Sequence, residues 1–243
     1  MFNLAAAART VILLAASAAI AACSAGDSSE NPPDGAMIDG TPATPEIIEA
    51  TADSVERAFR ERDRLVVTFS GYSGSGYEDE GAMISRARAL LAAYDPGSTI
   101  INIGATEDGI GAVYEIAGEM GFETTGIVSS QALEADVPFS PFVDRVYVVA
   151  DEQWGGVVEG SEELSPTSEA MVAVSDAYLA IGGGEVARDE LIAARDRGQQ
   201  VRFFAADQNH ARAIERAEAR GEDPPTDFRG AAHEVFGDGP DGG

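Results

Sequence analysis

The strongest constraint on the fold is a regular alternation of short apolar runs and helical segments between residues 65 and 206. Several runs are apolar without interruption, as expected for strands buried on both faces of a sheet. The predicted strands are 65–70, 99–103, 123–129, 144–150, 177–181 and 201–206. Such alternation is typical of a parallel sheet with helices on both faces. The chain is therefore predicted to be an α/β protein with a doubly wound, mostly parallel sheet of about six strands.

Helical segments fit between most of these strands, and glycine or proline stands where they should begin or end. The predicted helices are 78–94, 109–120, 166–176, 185–197 and 208–220. A further helix is predicted to begin at Thr44-Pro45-Glu46, where a hydroxyl cap precedes a proline in the first turn. Ile48, Ala52, Val55 and Phe59 then recur at helical spacing.

The N-terminus is predicted to be an export signal. Arg9 is the only charged residue before an apolar run at 11–16, and small residues follow up to Cys23. This run is short for a membrane span and typical of a signal peptide. The segment Ile20-Ala21-Ala22-Cys23 resembles the lipobox of bacterial lipoproteins, which implies cleavage after residue 22 and diacylglycerol on Cys23. An ordinary secreted protein and a simple N-terminal membrane anchor are the alternatives.

The charge of the chain excludes some partners. Aspartate and glutamate outnumber arginine 42 to 16, lysine is absent, and the formal net charge is −26. Such a surface repels nucleic-acid phosphates and anionic lipid headgroups, so acyl chains would have to provide the membrane tether. Adaptation to a salty medium explains this composition better than an acid-specific function, because salt screens the self-repulsion.

These patterns divide the chain into four parts. Residues 1–22 form the signal peptide and 23–43 a flexible tether rich in small and polar residues. Residues 44–221 form the folded domain, and 222–243 form a weakly ordered acidic tail. Ser24 follows the cysteine where aspartate would favour inner-membrane retention. A lipoprotein of this kind is expected at the periplasmic face of the outer membrane if the host has two membranes.

Three glycine-rich loops follow predicted strands, at the edge where open α/β sheets bind ligands. Glycine lets backbone N–H groups approach a ligand closely because it lacks a Cβ atom. The candidate ligand-binding residues are Gly71, Ser73, Gly74 and Gly76 in the first loop, Gly104, Gly109 and Gly111 in the second, and Gly183, Gly184, Glu185 and Arg188 in the third. We expect strands 65–70, 99–103 and 177–181 to be neighbours, so that the loops converge in one crevice.

Two segments resemble the LOG-like nucleotide-binding proteins, the superfamily of the cytokinin-activating phosphoribohydrolases and of the DNA-processing protein DprA. Residues 100–129 (IINIGATEDGIGAVYEIAGEMGFETTGIVS) resemble that family's second strand, glycine turn, helix and third strand. Residues 168–191 (SEAMVAVSDAYLAIGGGEVARDEL) resemble its P-G-G-x-G-T-x-E-E-L signature and the preceding helix and strand. The resemblance covers roughly 65–206. It implies a Rossmann-like fold that binds a nucleotide or a nucleotide-like molecule.

The signature is altered at several positions. Gly182 replaces the signature proline, while Val186 and Ala187 replace the Gly-Thr that would contact phosphate. The family's arginine has no counterpart in the segment SPTSEA at 165–170. Glu190 matches the family's catalytic glutamate, so the resemblance implies an N-glycosidic hydrolase activity that is degenerate. The acidic loops would oppose a phosphate unless Mg²⁺ or Arg188 offset them.

Two other functions are left open by the sequence. The first is a non-catalytic envelope protein that uses the fold as a scaffold for protein contacts, and a homodimer is one such contact. The second is a serine hydrolase, since Gly71-Tyr72-Ser73-Gly74-Ser75 resembles a nucleophile elbow with Ser73 as nucleophile. Asp151 or Asp207 and His210 or His233 would have to complete its triad. A filled or purely acidic crevice would favour the scaffold over the ligand-binding protein.

The lipid anchor leads to a first prediction. Cys23→Ala should abolish acylation and normal cleavage, because the thiol of Cys23 is the only one in the chain. Mass spectrometry of the mature wild-type N-terminus should find a diacylglyceryl cysteine as the first residue. An unmodified N-terminus at any other residue would rule out the lipoprotein assignment.

Overall fold

The computed structural model describes residues 44–237. The predicted signal peptide, Cys23 and the tether lie outside the described residues, as do the last six residues of the chain. The described part contains a seven-stranded sheet in which every strand pair is parallel. The predicted α/β architecture with a doubly wound parallel sheet is therefore confirmed. No helix among residues 44–237 is long and apolar enough to cross a bilayer.

The strands lie close to the predicted positions, with one addition at the N-terminal end. They are β1 (Glu46–Ala50), β2 (Leu65–Gly71), β3 (Thr99–Ile103), β4 (Glu123–Ser129), β5 (Arg145–Val149), β6 (Ala177–Ile181) and β7 (Gln200–Phe204). Their order in the sheet is β1-β5-β4-β3-β2-β6-β7. The strands β3, β2 and β6 are thus neighbours in the sheet interior, as predicted.

The first six helices each connect two successive strands, and the last two follow the final strand. They are α1 (Ala52–Arg60), α2 (Glu80–Leu91), α3 (Val113–Glu119), α4 (Gln131–Glu134), α5 (Pro166–Val174), α6 (Glu185–Asp196), α7 (His210–Arg220) and α8 (Gly230–Phe236). A 3₁₀ turn at Gly109–Ala112 precedes α3. Apolar residues of α2 and α3 pack on one face of the sheet, and those of α1, α5 and α6 pack on the other. Burial on both faces explains the continuous apolar runs in the central strands.

The prediction of a helix from Thr44 onward is wrong for its first part. Residues Glu46–Ala50 form the edge strand β1, which pairs with β5, and α1 begins only at Ala52. A reciprocal capping box fixes this start: the N–H of Ser54 donates to Thr51 Oγ1, and the N–H of Thr51 donates to Ser54 Oγ. The β-branched pair Ile47-Ile48 lies on the two sides of an edge strand, where period-two packing takes precedence over helical spacing.

The prediction of a weakly ordered tail is wrong for residues 230–236. Residues 230–236 form α8, and Ala232 is fully buried against α6 and β7. Only one apolar side chain in this segment is completely buried, and the segment is otherwise rich in acidic and polar residues. Its composition therefore does not predict the contact. The tail therefore belongs to the folded domain up to residue 237.

The doubly wound order places a topological switch point between β2 and β6. From β2 the chain proceeds through β3 to one side of the sheet, and it returns to form β6 and β7 on the other. In open α/β sheets, ligands bind beyond the carboxyl ends of the strands at such a point. Here the first and third glycine loops leave the sheet at neighbouring positions, after Gly71 and Ile181.

Candidate functional site

The first and second glycine loops meet directly. The N–H of Ile110 donates to the carbonyl oxygen of Tyr72 at 2.7 Å. A Cβ atom on Gly109, where φ is +61°, would lie 2.1 Å from that same oxygen. A Cβ atom on Gly111 would lie 1.9 Å from the carbonyl oxygen of Thr106. The second loop thus uses these two glycines to pack against the protein, whereas Gly104 has open space around it.

The crevice between β2 and β6 is filled by Tyr72. This side chain is only 4% exposed, and a Cβ atom on Gly182 would lie 2.4 Å from its ring. Its hydroxyl donates to the carbonyl oxygen of Arg229 at 2.5 Å and lies 3.1 Å from that of Ala206. Burial raises the pKa of Tyr72 to about 12, and the N–H of Gly183 partly offsets this rise. The phenol therefore stays neutral and acts as a hydrogen-bond donor.

A second tyrosine closes the bottom of the same crevice. The hydroxyl of Tyr77 donates to the carbonyl oxygen of Ile181 at 2.8 Å and accepts from the N–H of Tyr72 at 3.2 Å. A Cβ atom on Gly71 would lie 2.1 Å from that hydroxyl. The rings of Tyr72 and Tyr77 meet edge to face at 5.3 Å. The switch point is thus packed with the protein's own side chains.

The third glycine loop is covered by the segment that ends in α8. The N–H of Ala232 donates to the carbonyl oxygen of Gly183 at 3.1 Å. Gly230 has a φ of +71°, and a Cβ atom there would lie 2.5 Å from that oxygen. Gly184 caps α6 without a side-chain hydrogen bond, and Glu185 is exposed in the first turn of that helix. Only the outer part of this loop faces solvent.

Glu190 lies inside the protein and does not face the glycine loops. The hydroxyl of Ser168 donates to Glu190 Oε1 at 2.6 Å, and that of Tyr178 donates to Oε2 at 2.8 Å. Burial raises the pKa of Glu190 to about 7, against the opposing effect of these two hydroxyl donors. The N–H of Gly156 donates to the same Ser168 hydroxyl at 2.7 Å. The carboxyl group therefore joins α5, α6 and the 151–165 loop.

The other charged candidate of the third loop is engaged as well. The guanidinium of Arg188 binds the carboxylate of Asp189 at 2.8 Å. The N–H of Val157 donates to the other oxygen of that carboxylate at 3.0 Å. The side of α6 that carries Arg188 is thus attached to the 151–165 loop, and the sequence expectation that Arg188 offsets a phosphate charge has no support in this arrangement.

The structure does not bring Ser73 together with a histidine. Ser73 is exposed, and its hydroxyl makes no hydrogen bond within residues 44–237. The ring of His210 stacks on Phe228 at 3.9 Å between centroids, and its Nε2 lies 3.2 Å from Asp207 Oδ2. A serine nucleophile needs a base within hydrogen-bonding reach. The triad that the nucleophile-elbow resemblance requires is therefore not assembled.

Two arginines of α7 lie against the first glycine loop. Arg216 Nη1 donates to Ser75 Oγ at 2.5 Å. A Cβ atom on Gly74 would lie 3.1 Å from Arg216 Nη2, and one on Gly76 would lie 3.1 Å from Arg212 Nη1. The two glycines therefore leave the space that the guanidinium groups occupy. Neither arginine forms an ion pair within the described part of the chain.

Arg212 and Arg216 share this lack of an ion pair with Arg57, Arg86 and Arg202 among the described arginines. Most described arginines contact a carboxylate, namely Arg60, Arg62, Arg64, Arg88, Arg145, Arg188, Arg195, Arg197, Arg220 and Arg229. Arg212 and Arg216 stand one helical turn apart, and like charges at this spacing repel each other by ~0.2–0.5 kcal/mol. The pair is thus a local concentration of positive charge without an internal counterion.

The backbone of the first loop adds further donors to this region. The N–H of Gly76 donates to the carbonyl oxygen of Ser73 at 2.8 Å, which closes a turn. The N–H groups of Gly74 and Ser75 donate to no other group in residues 44–237. Unpaired backbone donors beside guanidinium groups are a common composition of anion sites.

The described residues contain no cluster of candidate metal ligands. No group of three or more His, Cys, Asp and Glu residues in the described ranges is placed to hold a metal ion. Acidic side chains instead border a cavity of about 340 Å³ at the carboxyl ends of β6 and β7. Its lining includes Glu78, Asp79, Arg86, Phe204 and Asp207. This acidic cavity opens beside α2.

The predicted site residues therefore separate into groups. The first loop keeps an exposed surface, the second packs against the first, and the third is covered. Tyr72, which fills the crevice, was not predicted from the sequence, and neither were Arg212 and Arg216. The i,i+4 spacing of the two arginines was a visible signal, but only the fold shows that they face the first loop.

The close contact between the first two loops leads to a testable prediction. Gly109→Ala should lower the free energy of unfolding by more than ~1 kcal/mol, because φ is positive and the new Cβ would collide with the Tyr72 carbonyl oxygen. Gly104→Ala is the matched control, since nothing lies within 4 Å of its Cβ position. Urea unfolding measures both variants. Equal losses would contradict the packing role of Gly109.

The buried carboxyl group leads to a pH prediction. Because burial raises the pKa of Glu190 from 4.5 to about 7, its contribution to stability is complete below pH 4.5 and is lost as the pH rises through 7. The Glu190→Gln variant has no carboxyl group at this position to ionise, so this pH-dependent loss of stability is absent from it. Between pH 5 and 8, wild-type stability should fall relative to the variant by on the order of 2 kcal/mol. Urea unfolding at both pH values tests this, with the exposed Glu185→Gln as a control. A difference that is the same at both pH values would contradict it.

No family model matches the chain, and no curated protein matches it. Among solved structures, it resembles the molybdenum cofactor carrier protein from Chlamydomonas reinhardtii, with 16% identity over 58% of this chain and 76% of that one at a TM-score of 0.42. Another structure of that carrier protein is 16% identical over 71% and 95% of the two chains, with a TM-score of 0.41. The structural-genomics target TM1055 is 17% identical over 58% and 73%, with a TM-score of 0.42. These likenesses concern the fold alone.

Proposed function

We propose that this protein is a lipid-anchored envelope protein whose Rossmann-like domain binds an anionic, nucleotide-like small molecule at the first glycine loop, without cleaving it. The observation that carries the proposal is the arginine pair. Arg212 and Arg216 lie against Gly76 and Gly74 without a carboxylate partner in residues 44–237. The lipobox-like segment that ends at Cys23 supports the anchor.

An anion at this position would interact with several donors at once. The two guanidinium groups and the N–H groups of Gly74 and Ser75 present charge-assisted and backbone donors on one surface. A hydrogen bond to a charged group contributes about 1.5–3 kcal/mol. Arginine forms bidentate contacts with phosphate. Binding would also relieve the repulsion between the two arginines.

The absence of cleavage is inferred from Glu190. A general acid or base must come within hydrogen-bonding reach of the reacting atom. Glu190 is 4% exposed, and the hydroxyl groups of Ser168 and Tyr178 occupy both of its carboxyl oxygens. In the sequence, the arginine and the Gly-Thr pair of the family signature are also replaced. We therefore expect binding of a nucleotide without release of the free base.

The arginine pair can be tested directly with the full-length chain in detergent. The double substitution Arg212→Gln/Arg216→Gln should weaken binding of AMP by roughly tenfold or more, since each lost charge-assisted contact is worth at least ~1.4 kcal/mol. Isothermal titration calorimetry with AMP, with inorganic phosphate and with adenosine, each with and without Mg²⁺, measures the effect.

The matched control is Arg57→Gln, an exposed arginine on α1 that also lacks an ion pair in the described structure. This variant removes one positive charge, whereas the double variant removes two. It should leave the affinity for AMP within about twofold of that of the wild type. Equal affinity for AMP and adenosine would contradict the anion site. Release of adenine from AMP in any metal condition would contradict the proposal that the domain does not cleave its ligand.

A further inference from the structure

The acidic cavity beside α2 carries charges of opposite sign at its two ends. The carboxyl ends of β6 and β7 form one wall, with Ile181 and residues 204–207. The other wall is one face of α2 and its N-cap residue. Its residues have the i, i+3, i+4, i+7 spacing of a helix face, and they are Asp79, Ala82, Met83 and Arg86. This stripe begins with an acid and ends with a base.

The acidic end contains the carboxylates of Glu78, Asp79 and Asp207. Local contacts hold one oxygen of each. The N–H of His210 donates to Glu78 Oε2 at 2.9 Å, and the N–H of Ala82 donates to Asp79 Oδ1 at 2.8 Å. Asp207 Oδ2 lies 3.2 Å from His210 Nε2. The second oxygen of each carboxylate accepts no hydrogen bond in the described part of the chain. The acids are thus fixed in place and keep acceptors for a ligand.

The basic end is formed by Arg86. Along the axis of α2 it stands about 10 Å from Asp79, at a rise of 1.5 Å per residue. Its guanidinium lies over the ring of Phe204, 4.9 Å from the centroid, and it binds no carboxylate among the residues that the structure describes. A guanidinium that stacks on a ring keeps N–H donors at its edge. This end therefore offers donors to an anionic group.

The surface between the two ends is apolar. Met83, Ile181 and Phe204 line it, and all three are buried. An alkyl chain that lay on this surface would be removed from water, which is favourable. The volume of about 340 Å³ corresponds to roughly eleven water molecules at ~30 Å³ each. The cavity therefore has the size for a small organic molecule with polar groups at its ends.

We propose that this cavity binds a linear zwitterion, an amino carboxylate whose ammonium and carboxylate groups stand at the two ends of a short alkyl chain. The ammonium, which has three N–H donors, binds the free carboxylate oxygens at the acidic end. The chain lies on Met83 and Phe204, and the ligand's carboxylate accepts from Arg86. The acidic end repels a ligand that has only a carboxylate, and Arg86 repels a second ammonium group, so the two ends select for both charges.

The test is an NMR titration of the full-length chain in detergent with 6-aminohexanoate. Hexylamine and hexanoate have the same alkyl chain, and each lacks one of the two charges. The amides of Ala82 and Ala206, which line the cavity, should shift on titration. The zwitterion should bind at least tenfold more tightly than either of the other two compounds.

Two variants assign the charges. Arg86→Gln should weaken binding of 6-aminohexanoate by about tenfold and leave hexylamine within twofold of the wild type. The double substitution Glu78→Gln/Asp207→Asn should weaken 6-aminohexanoate and leave hexanoate binding no weaker. The matched control is Arg202→Gln, because Arg202 stacks on the same Phe204 ring at 5.1 Å without lining the cavity. It should leave the affinity for the zwitterion within twofold.

Three results would overturn the proposal. The first is that none of the three compounds shifts the cavity amides. The second is that hexylamine or hexanoate binds as tightly as 6-aminohexanoate. The third is an equal loss of affinity in Arg202→Gln and Arg86→Gln. The Arg212→Gln/Arg216→Gln variant should bind 6-aminohexanoate like the wild type, so the failure of this site and the failure of the anion site at the first loop are distinguishable.

Discussion

The contact between Tyr72 and Gly182 decides what the carboxyl edge of this sheet can do. A parallel sheet with a switch point leaves a crevice there, and the crevice must hold a ligand, water or side chains. Here the ring of Tyr72 lies so close to Gly182 that no side chain would fit. Its hydroxyl then reaches the Arg229 carbonyl oxygen and so connects β2, β6 and the segment that ends in α8. A filled crevice is the outcome that favours a scaffold over a ligand bound between the loops, so the proposed ligand site lies outside the crevice, on the exposed side of the first loop.

Most of the fold could be predicted from the sequence because its central strands are buried on both faces. The run at 177–181 is apolar without interruption, and all five residues at 99–103 are buried although Thr99 and Asn102 are polar. Few structures other than a buried strand fit such segments. The elements that escaped prediction are at the periphery. In β1 the half-buried Ile48 resembles one face of a helix when read together with Ala52, Val55 and Phe59. In α8 the contact with the rest of the domain depends on one buried alanine, and a single small residue does not produce a periodic pattern in the sequence.

Less of the candidate site could be predicted. Glycine spacing located three loops at the correct edge, but glycine serves close packing and ligand approach equally well, and the sequence does not distinguish the two. Gly109 and Gly111 make room for backbone oxygens, whereas Gly74 and Gly76 make room for guanidinium groups. Glu190 keeps its place in the signature-like segment, yet Ser168 and Tyr178 bind it inside the protein. These partners are distant in sequence, so only the folded chain reveals them.

The excess of acid also shapes how an anion could be recognised. A net charge of −26 repels anions at long range, but salt screens this repulsion beyond a Debye length of about 8 Å at physiological ionic strength. Contacts at hydrogen-bonding distance are screened much less. Recognition of a phosphate on such a surface must therefore be local, with donors in direct contact and no acid between them. The first loop offers donors of this kind because Gly74 and Gly76, which have no side chain, leave room for the guanidinium groups of Arg216 and Arg212.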